Sequence, residues 1–409
     1  MIEINLPTSK SISNRVLLIS SLCNEPSTLI NCSTANDTVV LKKILSEETT
    51  SLAVNTEDAG TAFRFLIAYF AIQEGRNTTL YGSNRMHERP IADLVQALQQ
   101  LGAEISYVQT PGFPPVNIKG KKLKGGKVSI SGSVSSQFIS ALCMIAPLLE
   151  SGLDIEIVPP FVSKPYVDMT LSVMKSFGVK SYFKNNKIKI KYQRYHATLF
   201  TVEADWSSAS FFLIAQLIRP ELKLCLRGLQ RKSIQGDSHM NDIIFFFGYK
   251  AKYRLNKLYL QKHDCLLMPR DDFNFSDYPD LAIPFLVFLS IEYPMGRVTG
   301  VDHLKYKESN RLEALQTELA KAGCTLIIED KFISFLPPNL HNRPIFFKSY
   351  NDHRIVMALS LFSLLGNEVH FDNPECVQKS FPDFWIEFNK LLTSLNSNLV
   401  PYTLPSSVV

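Results

Sequence analysis

One pattern constrains the fold of this chain more than any other. Almost wholly apolar helical segments recur along it, and each has a polar or charged entry. These segments begin near the following residues: Lys10, Gly60, Ser136, Ser207, Asp280 and Asp352. From Gly60 onward, successive starts are 71 to 76 residues apart. A nearly constant interval of this size is typical of internal structural repeats.

Amphipathic runs that end at glycine keep a similar interval. They open at Asp93, Asp168, Asp242 and Glu313, end at Gly102, Gly178, Gly248 and Gly323, and lead into β-like stretches. Related runs open at Asp37 and Asp383. Helical apolar spacing followed by glycine indicates a helix and its end. We therefore predict an α/β protein of six repeated units of about 70 residues, each with one buried helix, one half-exposed helix and several strands. Coincidence in a helix-rich chain is the alternative.

The composition excludes several classes of protein. The chain has 409 residues, of which 45% are hydrophobic and 20% charged, with a net charge of +5. These values exclude a disordered chain, a collagen and a coiled coil, and the length suggests two to three domains. The small basic excess does not indicate a nucleic-acid partner. The longest apolar stretches, residues 281–291 and 355–365, are shorter than the roughly 20 residues that span a bilayer, so we expect no membrane partner.

The seven cysteines are scattered and form no C-x-x-C motif. An odd, unclustered set is typical of reduced thiols, which favours a cytoplasmic location over a disulfide framework. The eight histidines form no H-E-x-x-H or similar ligand set, so we expect no metal.

The polar entries of the apolar helices have a chemical consequence. A helix N-terminus presents unpaired N–H groups and a partial positive charge, and so it attracts anions. If the six entries converge, they form a site for phosphates and carboxylates. The sequence contains neither a P-loop motif nor G-x-G-x-x-G, which argues against a nucleotide site.

Eight short motifs at these positions resemble those of 5-enolpyruvylshikimate-3-phosphate synthases, which are enolpyruvyl transferases. In chain order they are LPTSKSISNR (6–15), DAGTAFR (58–64), RMHERP (85–90), SGSVSSQ (131–137), SKPY (163–166), KESNR (307–311), YNDHR (350–354) and KSFPD (379–383). Each motif alone is weakly specific, but eight in order over nearly the whole chain are strongly specific.

The resemblance implies a two-domain fold in which each domain is an inside-out α/β barrel of three repeated units. In this family the chain starts in one domain, builds the other and returns. Here that places residues 1–8 and 236–409 in the first lobe and residues 9–235 in the second. We also expect the protein to be a monomer.

The resemblance further implies transfer of the enolpyruvyl group of phosphoenolpyruvate to the 5-hydroxyl of shikimate 3-phosphate, with release of phosphate. This reaction belongs to aromatic amino acid biosynthesis and needs no metal or organic cofactor. Both substrates are multiply anionic, and arginine and lysine suit them. The residues implied for phosphoenolpyruvate are Lys10, Gly60, Arg85, Gln137, Arg311, Arg354 and Lys379. Those implied for shikimate 3-phosphate are Lys10, Ser11, Arg15, Ser135, Ser136, Gln137, Ser163, Tyr166, Asp280 and Lys307.

The same resemblance assigns the proton transfers. Asp280 is implied as the base for the 5-hydroxyl and Glu308 as the donor to the methylene carbon. Lys10 is implied to stabilise the leaving phosphate, together with Lys379. We expect Asp280 to stay ionised beside cations. Glu308 must carry a proton during part of the cycle.

Each of these residues also has a purely structural reading. Asp280 could be a helix N-cap, Ser135 and Ser136 a plain cap, and Glu308 with Arg311 a surface ion pair at i, i+3. The basic run KGKKLKGGK (119–127) resembles a nucleic-acid patch, but its glycines favour a solvated hairpin.

Several positions depart from the family pattern. Asp58 stands where Asn is usual, and Phe65 where Pro is common. His303 stands where a substrate-binding Asn is frequent, and Ser309-Asn310 replaces Thr-Asp. These departures bear on affinity more than on the reaction.

Three alternatives remain open. The first is the sister enolpyruvyl transferase acting on UDP-N-acetylglucosamine, which usually has a cysteine in its donor-site loop; residues 82–90 contain none. The others are an RNA 3′-phosphate cyclase on a related repeat fold, which would need ATP and a nucleophilic histidine, and a scaffold without activity.

Overall fold

The structure, a computed structural model, describes residues 1–46, 52–263, 271–341 and 343–395. Helices and strands are mixed along this part of the chain. The α-helices are α1 (Lys10–Ser21), α2 (Asn36–Ser46), α3 (Gly60–Ala71), α4 (Asn84–His87), α5 (Ala92–Gln100), α6 (Ser136–Ile145), α7 (Lys164–Ser176), α8 (Trp206–Ile218), α9 (Met240–Phe246), α10 (Pro279–Glu292), α11 (Arg311–Lys321), α12 (His353–Leu359) and α13 (Phe384–Leu395). Short 3-10 helices span Ala146–Leu148, Gly236–His239, Asp302–Tyr306, Ser360–Leu365 and Pro374–Lys379.

The strands are short. They are β1 (Ile2–Asn5), β2 (Thr28–Ile30), β3 (Ala53–Asn55), β4 (Asn77–Tyr81), β5 (Glu104–Tyr107), β6 (Val116–Lys119), β7 (Gly126–Ser131), β8 (Leu153–Val158), β9 (Ser181–Lys184), β10 (Lys187–Ile190), β11 (Leu199–Thr201), β12 (Leu224–Arg227), β13 (Tyr249–Arg254), β14 (Lys257–Lys262), β15 (Asp272–Asn274), β16 (Arg297–Thr299), β17 (Thr325–Ile328), β18 (Ile333–Leu336), β19 (Ile345–Phe347) and β20 (Val369–Phe371).

The chain divides into two compact units. Unit 1 comprises Met1–Pro7 and Glu203–Val409, of which the described residues are considered below, and unit 2 comprises Thr8–Val202. The resemblance placed the crossings after residues 8 and 235; the two units divide after Pro7 and, earlier than expected, after Val202. The reason is that α8 packs against α10 and that the Gln235 side chain bonds to the backbone of Ala204 and Trp206. The segment before residue 236 is therefore built into unit 1.

Each unit holds two four-stranded sheets and one two-stranded sheet among its described residues. The four-stranded sheets have the orders β3-β4-β6-β5 and β7-β8-β10-β9 in unit 2, and β1-β12-β14-β13 and β15-β16-β18-β17 in unit 1. In all four, the first pair of strands is parallel and the other two pairs are antiparallel. The two-stranded sheets, β11-β2 and β19-β20, are parallel. The α/β class is confirmed; the barrel and the bounds of the six repeats stay predictions.

The buried helices begin within one residue of the predicted positions. They are α1, α3 and α6 in unit 2 and α8, α10 and α12 in unit 1. In unit 2, α3 packs against α6 and α1; in unit 1, α10 packs against α8 and α12. All residues of α8 are buried, as are all but two of α10, because both sequences are apolar on every face.

The amphipathic runs are also helices, as predicted. Four of them, α5, α7, α9 and α11, are followed by Gly102, Gly178, Gly248 and Gly323, all with positive φ. That backbone conformation is common at helix C-termini and is easiest for glycine.

The basic run at residues 119–127 was wrongly predicted as a hairpin. Strands β6 and β7, on either side of it, belong to different sheets, so the run connects two sheets. Lys121 pairs with Glu104 and Lys122 with Glu150, and all four side chains are largely exposed.

Within the part of the chain that the structure describes, no helix is both long and apolar enough to cross a membrane. The six described cysteines, Cys23, Cys32, Cys143, Cys225, Cys324 and Cys376, are free; Cys265 lies outside the described residues.

Candidate active site

The start of α1 holds the first candidate lysine in place. Ser9 caps the helix, since its hydroxyl accepts a hydrogen bond from the backbone N–H of Ile12. Lys10 follows as the first helical residue, and its Nζ lies 3.2 Å from Oδ2 of Asp37 in α2. Both side chains are mostly buried. Lys10 is therefore a positioned cation rather than a solvated one, and Asp37 is a partner of Lys10 that the sequence motifs did not indicate.

Arg15 lies one turn further along α1 and is buried. Its Nε donates to Thr170 Oγ1 at 2.7 Å, its Nη1 to the carbonyl of Ser11 at 2.7 Å, and its Nη2 to the carbonyl of Tyr166 at 3.2 Å. Burial lowers the pKa of Arg15 to about 10, so the group keeps its charge at neutral pH. These neutral acceptors orient a positive charge without neutralising it, and such a group favours an anion nearby.

A second cationic group surrounds the start of α3. Arg64 Nη1 donates to the carbonyl of Gly60 at 3.2 Å and to Oε1 of Gln137 at 3.0 Å. Gln137 Nε2 in turn donates to Thr61 Oγ1 at 2.9 Å. A Cβ built on Gly60 would lie 2.8 Å from Cζ of Arg89 and 2.9 Å from Nη1 of Arg64. Two guanidinium groups therefore approach the backbone at Gly60 because that residue has no side chain.

The structure brings Arg89, and not the predicted Arg85, against Gly60. Arg89 is buried, and its Nε has no hydrogen-bond partner among the described residues. Arg85 has 41% of its side chain exposed and pairs with Glu88 at 2.5 Å. Arg85 lies within the single turn of α4 and Arg89 lies two residues after its end, and only Arg89 is buried. The role of Arg85 in binding phosphoenolpyruvate stays a prediction, and Arg89 is a further candidate that the motif analysis did not select.

The predicted serines lie at two further helix starts in unit 2. Ser135 is the N-cap of α6 and accepts from the backbone N–H of Gln137 at 3.3 Å; Ser136 behind it is buried. Ser163 precedes α7 with a left-handed backbone (φ 57°), which is uncommon for serine, and it is buried. The structural reading of Ser135 as a cap therefore agrees with the structure, and Ser136 is the first residue of α6.

In unit 1, Asp280 meets two arginines. It is the second residue of α10, not the N-cap, which is Tyr278. Arg354 Nη2 donates to its Oδ2 at 2.8 Å, and Arg311 Nη1 to its Oδ1 at 3.3 Å. Burial alone would raise the pKa of Asp280, but Arg354, Arg311 and Lys307 outweigh it and hold that pKa below the ordinary value. The carboxylate is thus ionised, as expected.

Arg311 is the centre of this cluster. Its Nε lies 2.8 Å from Oδ2 of Asp352, and its Nη2 lies 2.6 Å from Oε2 of Glu308. The guanidinium is buried, so the Glu308–Arg311 pair is not on the surface as the structural reading proposed. Asp352 also caps α12, because its Oδ1 accepts from the backbone N–H of Arg354 at 3.0 Å. One arginine therefore contacts three carboxylates on three segments of unit 1.

The remaining predicted cations of unit 1 lie at the ends of 3-10 helices. Lys307 follows Asp302–Tyr306, Lys379 ends Pro374–Lys379, and both are half-buried. His303 is buried, and its Nε2 has no hydrogen-bond partner among the described residues. Burial, with Lys307 second, lowers the pKa of His303 to about 3, so this imidazole is neutral. No group of three or more His, Cys, Asp or Glu residues in the described ranges is placed to hold a metal ion.

Comparison with known proteins identifies the family. Residues 39–388 match the family model described as EPSP synthase (3-phosphoshikimate 1-carboxyvinyltransferase). The chain belongs to the EPSP synthase family. A 3-phosphoshikimate 1-carboxyvinyltransferase of Bacteroides fragilis (strain YCH46) is 39% identical over 391 residues, which cover 95% of this chain and 94% of that protein. The enzyme of the same name from Colwellia psychrerythraea is 36% identical over 422 aligned positions, with 95% and 96% covered.

A solved structure agrees with the EPSP synthase fold. EPSP synthase from Acinetobacter baumannii matches with a TM-score of 0.70 at 19% identity, covering 95% of each chain. At this identity the likeness establishes the fold alone. It confirms the two-domain α/β class that the motif resemblance implied for this member of the EPSP synthase family.

Proposed function

We propose that this chain transfers the enolpyruvyl group of phosphoenolpyruvate to the 5-hydroxyl of shikimate 3-phosphate and releases phosphate. The family assignment and the names of the relatives support this activity. The observation that carries it is Asp280, a carboxylate at a helix start that two arginines and a lysine keep ionised. Such a group can accept a hydroxyl proton at neutral pH.

The reaction needs one proton acceptor and one proton donor, and unit 1 offers both. Asp280 would take the proton of the 5-hydroxyl as its oxygen bonds to C2 of phosphoenolpyruvate. Glu308 would give a proton to the methylene carbon, which yields a tetrahedral intermediate. Loss of one methyl proton and cleavage of the C2–O bond to phosphate then regenerate the double bond. Glu308 is paired with Arg311 at 2.6 Å, so donation requires that this ion pair open.

The anionic groups of the substrates would be held by the positioned cations. For phosphoenolpyruvate we propose Lys10, the backbone at Gly60, Gln137, Arg311, Arg354 and Lys379, with Arg89 in place of Arg85. For shikimate 3-phosphate we propose Lys10, Ser11, Arg15, Ser135, Ser136, Gln137, Ser163, Tyr166, Asp280 and Lys307. The support is that Lys10, Arg15, Arg89 and Arg354 are oriented and mostly buried. Arg15 in particular bonds to neutral acceptors, and a buried cation is costly unless an anion compensates it.

The family assignment argues against the UDP-N-acetylglucosamine enzyme, since the matching family model and the relatives carry the name 3-phosphoshikimate 1-carboxyvinyltransferase. The substrates are small molecules. We keep the division into two catalytic lobes, the monomeric state and the cytoplasmic location as proposals.

The decisive experiment is the release of phosphate from phosphoenolpyruvate, measured with and without shikimate 3-phosphate, with identification of the enolpyruvyl product. Release only when both are present supports the proposal. Release with UDP-N-acetylglucosamine instead, or none with either acceptor, contradicts it.

A further inference from the structure

Unit 1 holds a second buried carboxyl, which interacts electrostatically with Asp280. Asp237, in the 3-10 helix Gly236–His239, is 2% exposed. The hydroxyl of Ser207, near the start of α8, donates a hydrogen bond to its Oδ2. The preceding Gln235 accepts from the backbone N–H of Trp206 at 3.0 Å and donates to the carbonyl of Ala204 at 2.8 Å. Asp237 is therefore held in place rather than buried by accident.

Two carboxylates and one guanidinium interact with the charge of Asp237. It interacts electrostatically with Asp280 of α10, with Arg354 of α12 and with Asp205, the N-cap of α8. Burial and neighbouring carboxylates, Asp237 among them, raise the pKa of the Tyr278 phenol, which precedes α10. Arg354 is the one cation in this set, and its Nη2 is already bonded to Asp280 at 2.8 Å.

Two buried carboxyls that compete for one guanidinium do not both ionise readily. Asp280 has direct bonds to Arg354 and Arg311, so it keeps the negative charge. Asp237 accepts a hydroxyl hydrogen bond and faces two other carboxylates. Burial, followed by the charge of Asp280, raises the pKa of Asp237 to about 7.

We propose that Asp237 is a positioning residue that must hold a proton for this enzyme to be active. Neutral Asp237 does not compete for Arg354, so Arg354 can bind Asp280 and the anionic donor substrate. This inference rests on the proposed function. When Asp237 ionises, it competes for Arg354 and places a second negative charge beside the base. Affinity for phosphoenolpyruvate is then weaker, and kcat/KM for this donor falls as the pH rises above 7.

The test compares pH profiles of kcat/KM for phosphoenolpyruvate between pH 6 and pH 8.5. Asp237→Asn has the shape of the protonated acid and cannot ionise. The ratio of variant to wild-type kcat/KM is expected to rise about thirtyfold across this range, since each pH unit above a pKa lowers the protonated fraction about tenfold. A residue that only supports the fold would give a constant ratio. A constant ratio therefore overturns the proposal.

Ser207→Ala is a second variant and leaves Asp237 in place. Loss of the Ser207 hydroxyl removes the hydrogen bond that stabilises the ionised form of Asp237. The alkaline limb of the kcat/KM profile is therefore expected to move to higher pH without disappearing. If Asp237→Asn does not fold, Ser207→Ala decides: an unmoved limb overturns the proposal.

A measurement without substrate separates this inference from the proposed function. Infrared difference spectra of the wild type between pH 6 and pH 8.5 are expected to show the loss of a protonated carboxyl band that Asp237→Asn lacks and that persists to higher pH in Ser207→Ala. No such band at pH 6 overturns the inference. Absence of phosphate release by the wild type at pH 6, with the band present, refutes the proposed function and leaves the protonated Asp237 established.

Discussion

Arg311 and Asp352 form a two-point ion pair in which both side chains are buried. Nε of the arginine lies 2.8 Å from one carboxylate oxygen, and Nη2 lies 3.2 Å from the other. The same carboxylate accepts from Ser309 Oγ at 3.0 Å and caps α12. Asp352 thus fixes both the arginine that touches Asp280 and Glu308 and the helix that carries Arg354.

Asp352→Asn is expected to destabilise unit 1 by about 1–3 kcal/mol, because the amide weakens a buried, hydrogen-bonded pair while Asp280 and Glu308 still compensate the Arg311 charge. The chain has two tryptophans, Trp206 and Trp385, and both belong to unit 1. Urea unfolding followed by tryptophan fluorescence therefore reports on this unit. Glu221→Gln, which removes an exposed partner of Arg219, is the control and should cost less than about 1 kcal/mol. Equal losses in both variants would refute a special role for Asp352.

Asp280→Asn is expected to lower kcat by about 10²–10⁴, the usual range for a positioned base. The amide preserves the shape and cannot accept the hydroxyl proton. Asp242→Asn, at an exposed aspartate of α9, is the matched control and should keep its turnover. Steady-state phosphate release measures both. Retention of more than about half the turnover by Asp280→Asn would exclude the assigned role.

Glu308→Gln is expected to lower kcat by a similar factor of about 10²–10⁴, since an amide cannot protonate the methylene carbon. Glu313→Gln, an exposed change on α11, tests whether any glutamate near Arg311 has this effect. Exchange of solvent deuterium into the methylene group of phosphoenolpyruvate is the more direct readout. Unchanged exchange in Glu308→Gln would assign the proton donation to another group.

Arg89→Ala is expected to raise KM for phosphoenolpyruvate by about tenfold or more, as loss of a buried charge-assisted contact does. Arg85→Ala should change it little, because that side chain is exposed and pairs with Glu88. Gly60→Ala should resemble Arg89→Ala, since the added methyl would displace the Arg89 guanidinium. Initial rates at varied phosphoenolpyruvate distinguish the variants. A larger effect from Arg85→Ala would restore the prediction made from the motif.

The positions of the six buried helices followed from the sequence because their signals are local. Ser9, Ser135, Asp205 and Asp352 cap α1, α6, α8 and α12, and the residues behind each cap are apolar. The eight motifs near these starts also determined the family, since each occupies a few consecutive residues. Only the order of the motifs was needed, and no knowledge of their contacts.

Tertiary structure alone decided which side chains meet. Arg85 and Arg89 are both arginines and lie about one helical turn apart, so the sequence alone does not show which of them is buried against Gly60. Arg311 reaches Asp352 across 41 residues of sequence, and Arg354 reaches Asp280 across 74. Asp237 follows Gln235-Gly236 without any local signal, and its contact with Ser207 arises from the packing of α8 against the segment that carries Gln235. Local propensity places caps and helices, whereas the partners of a buried charge depend on which segments the core brings together.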